Sequence, residues 1–301
     1  MSQVRGSIVP LVTAFKAGGA LDLEAMGRLV DWQIAAGSHG LSVTGTTGEP
    51  SSLTLEEREE VMRYVFERIG GRVPFVPATG TNNLEETLRL TRCAQELGAS
   101  AALLIVPYYN RPSQEGLYRY FASIATAVEI PLVIYNIPGR TAVNITPATL
   151  ARLRRDHPRI VGVKESNKDF EHVCRVLHEC GRDFLVYSGI ELLCYPMLAI
   201  GGAGHVSATG NVLPTEVAAL YDLARTGRQA EALDLHYRLL PLNDALFWET
   251  NPGPLKWVMG ELGLIEPVYR LPLCEPSLDN RRRLREVMAQ YDFSVPAGVA
   301  R

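Results

Sequence analysis

No stretch of this chain approaches the roughly eighteen uncharged apolar residues that a membrane-crossing helix needs, although 47% of its 301 residues are hydrophobic. Its start, Met1-Ser2-Gln3-Val4-Arg5-Gly6-Ser7, lacks the apolar centre of a signal peptide. A cytoplasmic location is the expectation that follows, with no membrane partner. Long same-sign charge runs are also missing: 30 basic and 33 acidic side chains leave a formal charge of −3, without the basic stripe that nucleic acid or an anionic bilayer would select. The expected partner is a small molecule. The cysteines are five, an odd number without CxxC spacing, which fits reduced, buried thiols better than a disulfide framework or a zinc site. Six histidines, among them His172 and His178, form no HExxH or paired-ligand pattern, so they are expected to be packed or solvated and no metal is expected.

The chain does contain short β-leaning apolar runs, at residues 7–13, 40–43, 74–77, 101–106, 131–135, 160–164, 184–187 and 203–207. Helical spacing lies between them. Val61, Met62, Val65, Phe66 and Ile69 share a face opened by the capping box Thr54-x-x-Glu57 and closed by Gly70-Gly71, and Asp22 and Ser113 read as further N-caps. Eight alternating βα units predict a parallel (β/α)8 TIM barrel over residues 1–224. The doubly wound alternative lacks its signature: no GxGxxG follows the first run, and Gly201-Gly202-Ala203-Gly204 precedes its strand where a phosphate loop should follow. Beyond Pro214 the strand signals stop, and residues 225–301 are expected to form a small C-terminal helical extension broken at Pro241, at Asn251-Pro252-Gly253-Pro254 and at Pro267.

Barrel enzymes place their chemistry at the C-terminal ends of the strands, and four polar clusters fall there. Lys164 closes the run Ile160-Val161-Gly162-Val163. Burial penalises an ammonium, so a lysine at an apolar barrel mouth can move from about 10.4 toward about 7–8 and serve as an amine nucleophile. Schiff-base chemistry is the leading idea; a lysine whose stem lies on the sheet and whose head reaches water is the alternative. Gly45-Thr46-Thr47-Gly48-Glu49 offers a tight turn, two hydroxyls and backbone donors for a carboxylate. Pro107-Tyr108-Tyr109-Asn110 and Tyr135-Asn136-Ile137-Pro138-Gly139-Arg140 supply phenols for a proton path and an arginine for an anion. Together these groups describe carbonyl chemistry on an anionic substrate.

The same residues resemble the dihydrodipicolinate synthase and N-acetylneuraminate lyase superfamily of pyruvate-dependent class I aldolases, over nearly the whole chain. The resemblance implies a lysine imine with pyruvate as the only covalent carrier, with no other cofactor. It makes Lys164 the nucleophile and Tyr135, Thr46 and a Tyr109 donated by the neighbouring subunit the proton relay. Thr47 and Gly48 would hold the pyruvate carboxylate, Arg140 the carboxylate of the second substrate, and Gly189, Ile190 and Val206 would border the pocket. A homodimer, or a tetramer of two dimers, is implied. Arg140 favours the synthase branch over the sialic-acid lyases. Glu165-Ser166-Asn167-Lys168-Asp169 and Ser188-Gly189-Ile190-Glu191 depart from the usual synthase loops. Read as the loss of an acidic group and the gain of Ile190, they suit an aldehyde without an α-ammonium, such as succinate semialdehyde. The sequence resembles most a synthase-like subgroup of 2,4-dihydroxyhept-2-ene-1,7-dioate aldolases, whose product splits into pyruvate and succinate semialdehyde. The alternatives are a 4-hydroxy-tetrahydrodipicolinate synthase using aspartate semialdehyde, a deoxy-keto-sugar-acid dehydratase, and a non-catalytic keto-acid sensor. Asn82, Glu86 and Tyr108 match positions that bind lysine in feedback-regulated synthases, but Pro50, Leu55 and Arg58 do not, so weak or absent lysine inhibition is expected.

Overall fold

The computed structural model describes residues 4–299. Seven strands run parallel: β1 Gly6–Pro10, β2 Gly40–Ser42, β3 Ala102–Ile105, β4 Leu132–Asn136, β5 Ile160–Glu165, β6 Leu185–Ser188 and β7 Gly204–Val206. They are ordered β2-β1-β7-β6-β5-β4-β3, which leaves β2 and β3 as open edges. The run at 74–77 fills that gap without becoming a strand. It makes single parallel bridges, Leu41 to Phe75 and Ala78 to Leu103, joined by main-chain bonds such as Val76 N–H to the Leu41 carbonyl at 2.9 Å and Leu103 N–H to the Pro77 carbonyl at 2.9 Å. Pro74 and Pro77 explain the difference from the expected eighth strand, since neither carries an N–H for the ladder. The barrel is closed, with one thinly bonded stave.

Strand alternation then divides the core in two. One apolar layer, including Ile8, Val76, Leu103, Val133 and Leu185, fills the barrel interior. A larger one packs the outer strand faces against the helices and takes in Leu41, Leu104, Ile134 and Val163. The expected caps are in place: Thr54 and Glu57 form both halves of a capping box, Gly70 closes that helix at φ 55°, and Asp22 and Ser113 accept from Ala25 and Gly116 N–H. Each such cap contributes about 1 kcal/mol.

After β7 no strand is assigned among the described residues, and the helices there include Pro214–Arg225, Gln229–Ala245, Gly253–Glu261 and Leu278–Met288. Pro241 does not break the chain as expected; it sits inside the helix Gln229–Ala245. Its missing N–H costs one main-chain bond, while Leu239, Leu242, Ala245 and Leu246 on both sides of it are buried in the outer core. The thiols also differ in part from expectation. All five are free, yet Cys174 and Cys274 are exposed, one on the helix Phe170–Cys180 and the other in a C-terminal loop.

Candidate active site

Across the sheet, Lys164 on β5 is level with Tyr135 on β4 and Tyr187 on β6. Alternation points Val163 and Glu165 toward the helices and Lys164 inward. Glu165 is held on the outer side by Asn136 Nδ2, at 3.2 and 3.0 Å from its two oxygens, and by His172 Nε2 at 3.2 Å. Burial raises the Glu165 carboxyl above its ordinary range, against the pull of His172 and Asn136. His172 is thus a packed residue, as its spacing implied.

Lys164 is 6% exposed, and among the described residues its ammonium has no hydrogen-bond or ion-pair partner. The Tyr135 ring stands beside it, with its centroid 4.0 Å from Nζ. The side chain borders a cavity of about 50 Å³ lined also by Thr46, Thr47, Tyr135, Arg140, Gly189, Glu191, Val206, Phe247 and Asn251. Gly189 is small for a reason visible here, because a Cβ at that position would lie 2.7 Å from Lys164 Cε. A second cavity of about 290 Å³ shares Thr46, Tyr135, Arg140 and Asn251 and opens toward Arg58, Tyr108 and Pro272.

The threonine turn is fixed from three sides. Thr13 Oγ1 donates to the Gly48 carbonyl at 2.7 Å, Asn251 Nδ2 donates to Thr47 Oγ1 at 3.1 Å, and Lys256 Nζ meets Glu49 Oε1 at 2.6 Å. Glu49 adopts the left-handed backbone, φ 54° and ψ 48°, which a non-glycine residue holds only when its surroundings impose it. The Glu49–Lys256 pair is fully buried. Burial pushes the Glu49 carboxyl up and the Lys256 ammonium down, in opposition to their mutual attraction. Arg140 leaves the short helix Pro138–Thr141 and donates through Nη2 to the Asn251 carbonyl at 3.2 Å.

Three residues singled out from sequence lie elsewhere. Gly48 spends its N–H on the Gly45 carbonyl at 2.8 Å and is not among the cavity-lining residues. Ile190 is likewise absent from the residues lining the two cavities, and its carbonyl accepts from Ser188 Oγ at 2.8 Å. Tyr109 is 89% exposed, at φ 76°, and touches neither cavity of its own chain. Sequence reasoning passed over Glu191 and Asn251. Glu191 is 5% exposed, lines the lysine cavity and accepts from Ala208 N–H at 2.7 Å. Burial raises its carboxyl, with the Ala208 amide and the Lys164 charge acting the other way. Its position one residue beyond Ile190 was the available signal.

The sequence profile of the dihydrodipicolinate synthetase family matches residues 3–291. The chain belongs to this family. A 4-hydroxy-tetrahydrodipicolinate synthase of Thermus thermophilus is 52% identical over 95% of the chain and 96% of its own length. The protein of the same name from Thermodesulfovibrio yellowstonii is 45% identical over 94% and 97%. The crystal structure of dihydrodipicolinate synthase from Aquifex aeolicus superposes with a TM-score of 0.94 at 42% identity, covering 97% of this chain and 99% of that one. The chain is accordingly an enzyme, a carbon–carbon lyase of the class I aldolase type. Enzymes of this family work through a lysine imine with pyruvate and need no external cofactor.

These relatives overturn the expectation of a 2,4-dihydroxyhept-2-ene-1,7-dioate aldolase, since at 45–52% identity they carry the synthase name along the full length. The physical ground for that expectation also falls away. It rested on the loops at 165–169 and 188–191, read as the loss of an acidic group and the gain of Ile190, whereas Ile190 is not among the residues lining the lysine cavity and Glu191 is.

Proposed function

We propose that the chain is a 4-hydroxy-tetrahydrodipicolinate synthase, condensing pyruvate with aspartate semialdehyde. The observation that carries this reading is the cavity that gathers Lys164, Tyr135, Thr46, Thr47 and Arg140 in a chain 52% identical to an enzyme of that name. Lys164 Nζ adds to the C2 carbonyl of pyruvate, and loss of water gives the imine. The iminium then withdraws electrons from the adjacent methyl, which gives up a proton and becomes an enamine nucleophile toward the aldehyde carbon. Attack by the substrate's own amine on the imine carbon closes the ring and returns Lys164 as a free amine.

Each residue has a part in this scheme. Thr47 holds the pyruvate carboxylate, and Arg140 binds the carboxylate of the aldehyde. Gly189 and Val206 shape the walls, with Gly189 giving the Lys164 stem room to pass. Tyr135 and Thr46 move protons to and from the carbinolamine and the new hydroxyl. Tyr109, exposed on its own chain with a left-handed backbone, completes that relay from a neighbouring copy, so the working unit is a homodimer or an assembly of dimers. The division into a barrel at 1–224 and a helical extension at 225–301 belongs to the same proposal, supported by the absence of assigned strands after β7 among the described residues. No helix among the described residues is long and apolar enough to cross a membrane, in keeping with small dissolved substrates.

The deciding test compares specificity constants for aspartate semialdehyde and succinate semialdehyde in pyruvate consumption. A preference of tenfold or more for aspartate semialdehyde, about 1.4 kcal/mol at the transition state, is expected; preference for succinate semialdehyde rejects the reading. Free lysine should inhibit weakly or not at all, because Arg58 is buried with Nη2 on the Ala78 carbonyl at 3.1 Å. Submillimolar inhibition would refute that.

A further inference from the structure

Asn251 touches both residues assigned to substrate carboxylates, although no step above uses it. Its Nδ2 donates to Thr47 Oγ1 at 3.1 Å, and its main-chain carbonyl accepts from Arg140 Nη2 at 3.2 Å. It is 5% exposed and lines both cavities. A hydroxyl carries one proton and two acceptor lone pairs. By donating to Thr47, Asn251 occupies a lone pair and leaves the Thr47 proton free, and among the described residues that hydroxyl has no other hydrogen-bond partner. The reversed amide would take the Thr47 proton and turn lone pairs toward an incoming anion. In the structure Nδ2 faces Thr47, and among the described residues the buried Oδ1 has no hydrogen-bond partner. Because a hydroxyl accepts as readily as it donates, the two amide orientations are separated by the variants below.

We propose that Asn251 is a positioning residue that fixes Thr47 as a hydrogen-bond donor to the keto-acid carboxylate. Affinity for that anion is then governed from the segment that follows the barrel. The inference rests on the reading of Thr47 as a carboxylate ligand.

The test is a cycle of Asn251→Leu, Thr47→Val and the double variant. It reads KM for pyruvate, KM for the aldehyde and borohydride trapping of the pyruvate imine. Asn251→Leu should raise the pyruvate KM roughly three- to tenfold, the worth of one ordinary hydrogen bond, with kcat near wild type. The aldehyde KM should stay within about twofold, because the main-chain carbonyl on Arg140 is retained. In the double variant the pyruvate KM should match that of Thr47→Val alone; effects that multiply overturn the inference. Asn251→Asp is the second variant and carries the test alone should the leucine variant fail to fold. Its carboxylate accepts the Thr47 proton and adds a negative charge, so it should bind pyruvate less well than Asn251→Leu, and wild-type binding overturns the inference. An unchanged pyruvate KM in Thr47→Val instead shows that Thr47 is not the carboxylate ligand, which defeats the underlying reading and the inference with it.

Discussion

Two lysines are buried in this molecule, and their surroundings differ in the way that separates a reagent from a strut. Lys256 is 0% exposed and fully matched: Glu49 lies 2.6 Å away, and the rings of Phe15 and Tyr269 stand 4.4 and 5.5 Å from its ammonium. Lys164 is almost as deep, yet among the described residues it makes no ion pair or hydrogen bond; beside it are the Tyr135 ring and a cavity, with the Glu191 carboxyl feeling its charge from beyond contact distance. A buried charge with a partner is expensive to disturb, whereas one facing a cavity is available for reaction. Burial alone therefore does not identify a catalytic lysine; the missing partner beside open space does.

The sharpest way to break the comparison is to exchange the outcomes of removing each lysine. Lys164→Ala should lower turnover on the order of 10⁴-fold or more, as loss of a covalent nucleophile does, and abolish borohydride trapping of pyruvate in the intact-mass spectrum. Trapping at any other lysine would end the assignment. Tyr109→Phe should reduce kcat by roughly 10²–10⁴, the usual contribution of general acid–base catalysis, while trapping at Lys164 persists. Unchanged turnover would take Tyr109 out of the relay. Lys256→Met should leave trapping intact but cost about 3–5 kcal/mol in denaturant unfolding, because Glu49 is left buried and unpaired. The double variant with Glu49→Gln should regain most of that loss, and a Lys256→Met protein of normal stability would contradict the role of the pair.

How much of this was legible in the sequence follows from which interactions are local. Strand runs, the Thr54–Glu57 capping box and the Lys164 position depend on neighbours a few residues away, and the chain announces them. The thin stave at 74–77 was read as an ordinary strand because its apolar content outweighed what Pro74 and Pro77 remove from the ladder. Asn251, Glu191 and the Glu49–Lys256 pair were illegible for a different reason: their partners lie up to 207 residues away, and only the closed barrel brings them together. Asn251 was read as a helix break, which accounts for its backbone and not for its amide. Ile190 is the residue its loop offers to the pocket from sequence, whereas Glu191 lines the cavity, because a one-residue change of position alters which side chain faces a cavity and residue type alone does not settle that.

A third buried base sharpens the contrast by solving the same problem differently. His205, on β7, is 0% exposed. Its Nε2 donates to the Val217 carbonyl at 3.1 Å, and among the described residues its Nδ1 has no partner. Burial, with a smaller push from His39, moves it from 6.5 down to about 4, so it stays neutral where Lys256 is paired and Lys164 faces a cavity. The folded protein then binds fewer protons here than the unfolded chain. The contribution to stability is complete above pH 6.5 and is lost as the pH falls toward about 4, amounting to about 3 kcal/mol. Unfolding titrations at pH 7 and pH 4.5 should show most of that loss in the parent protein and a shallower one in His205→Asn, which cannot take up the proton. Equal slopes in the two proteins would mean that this part of the acid sensitivity comes from other groups, and that His205 accommodates a charge that its surroundings give it no means to hold.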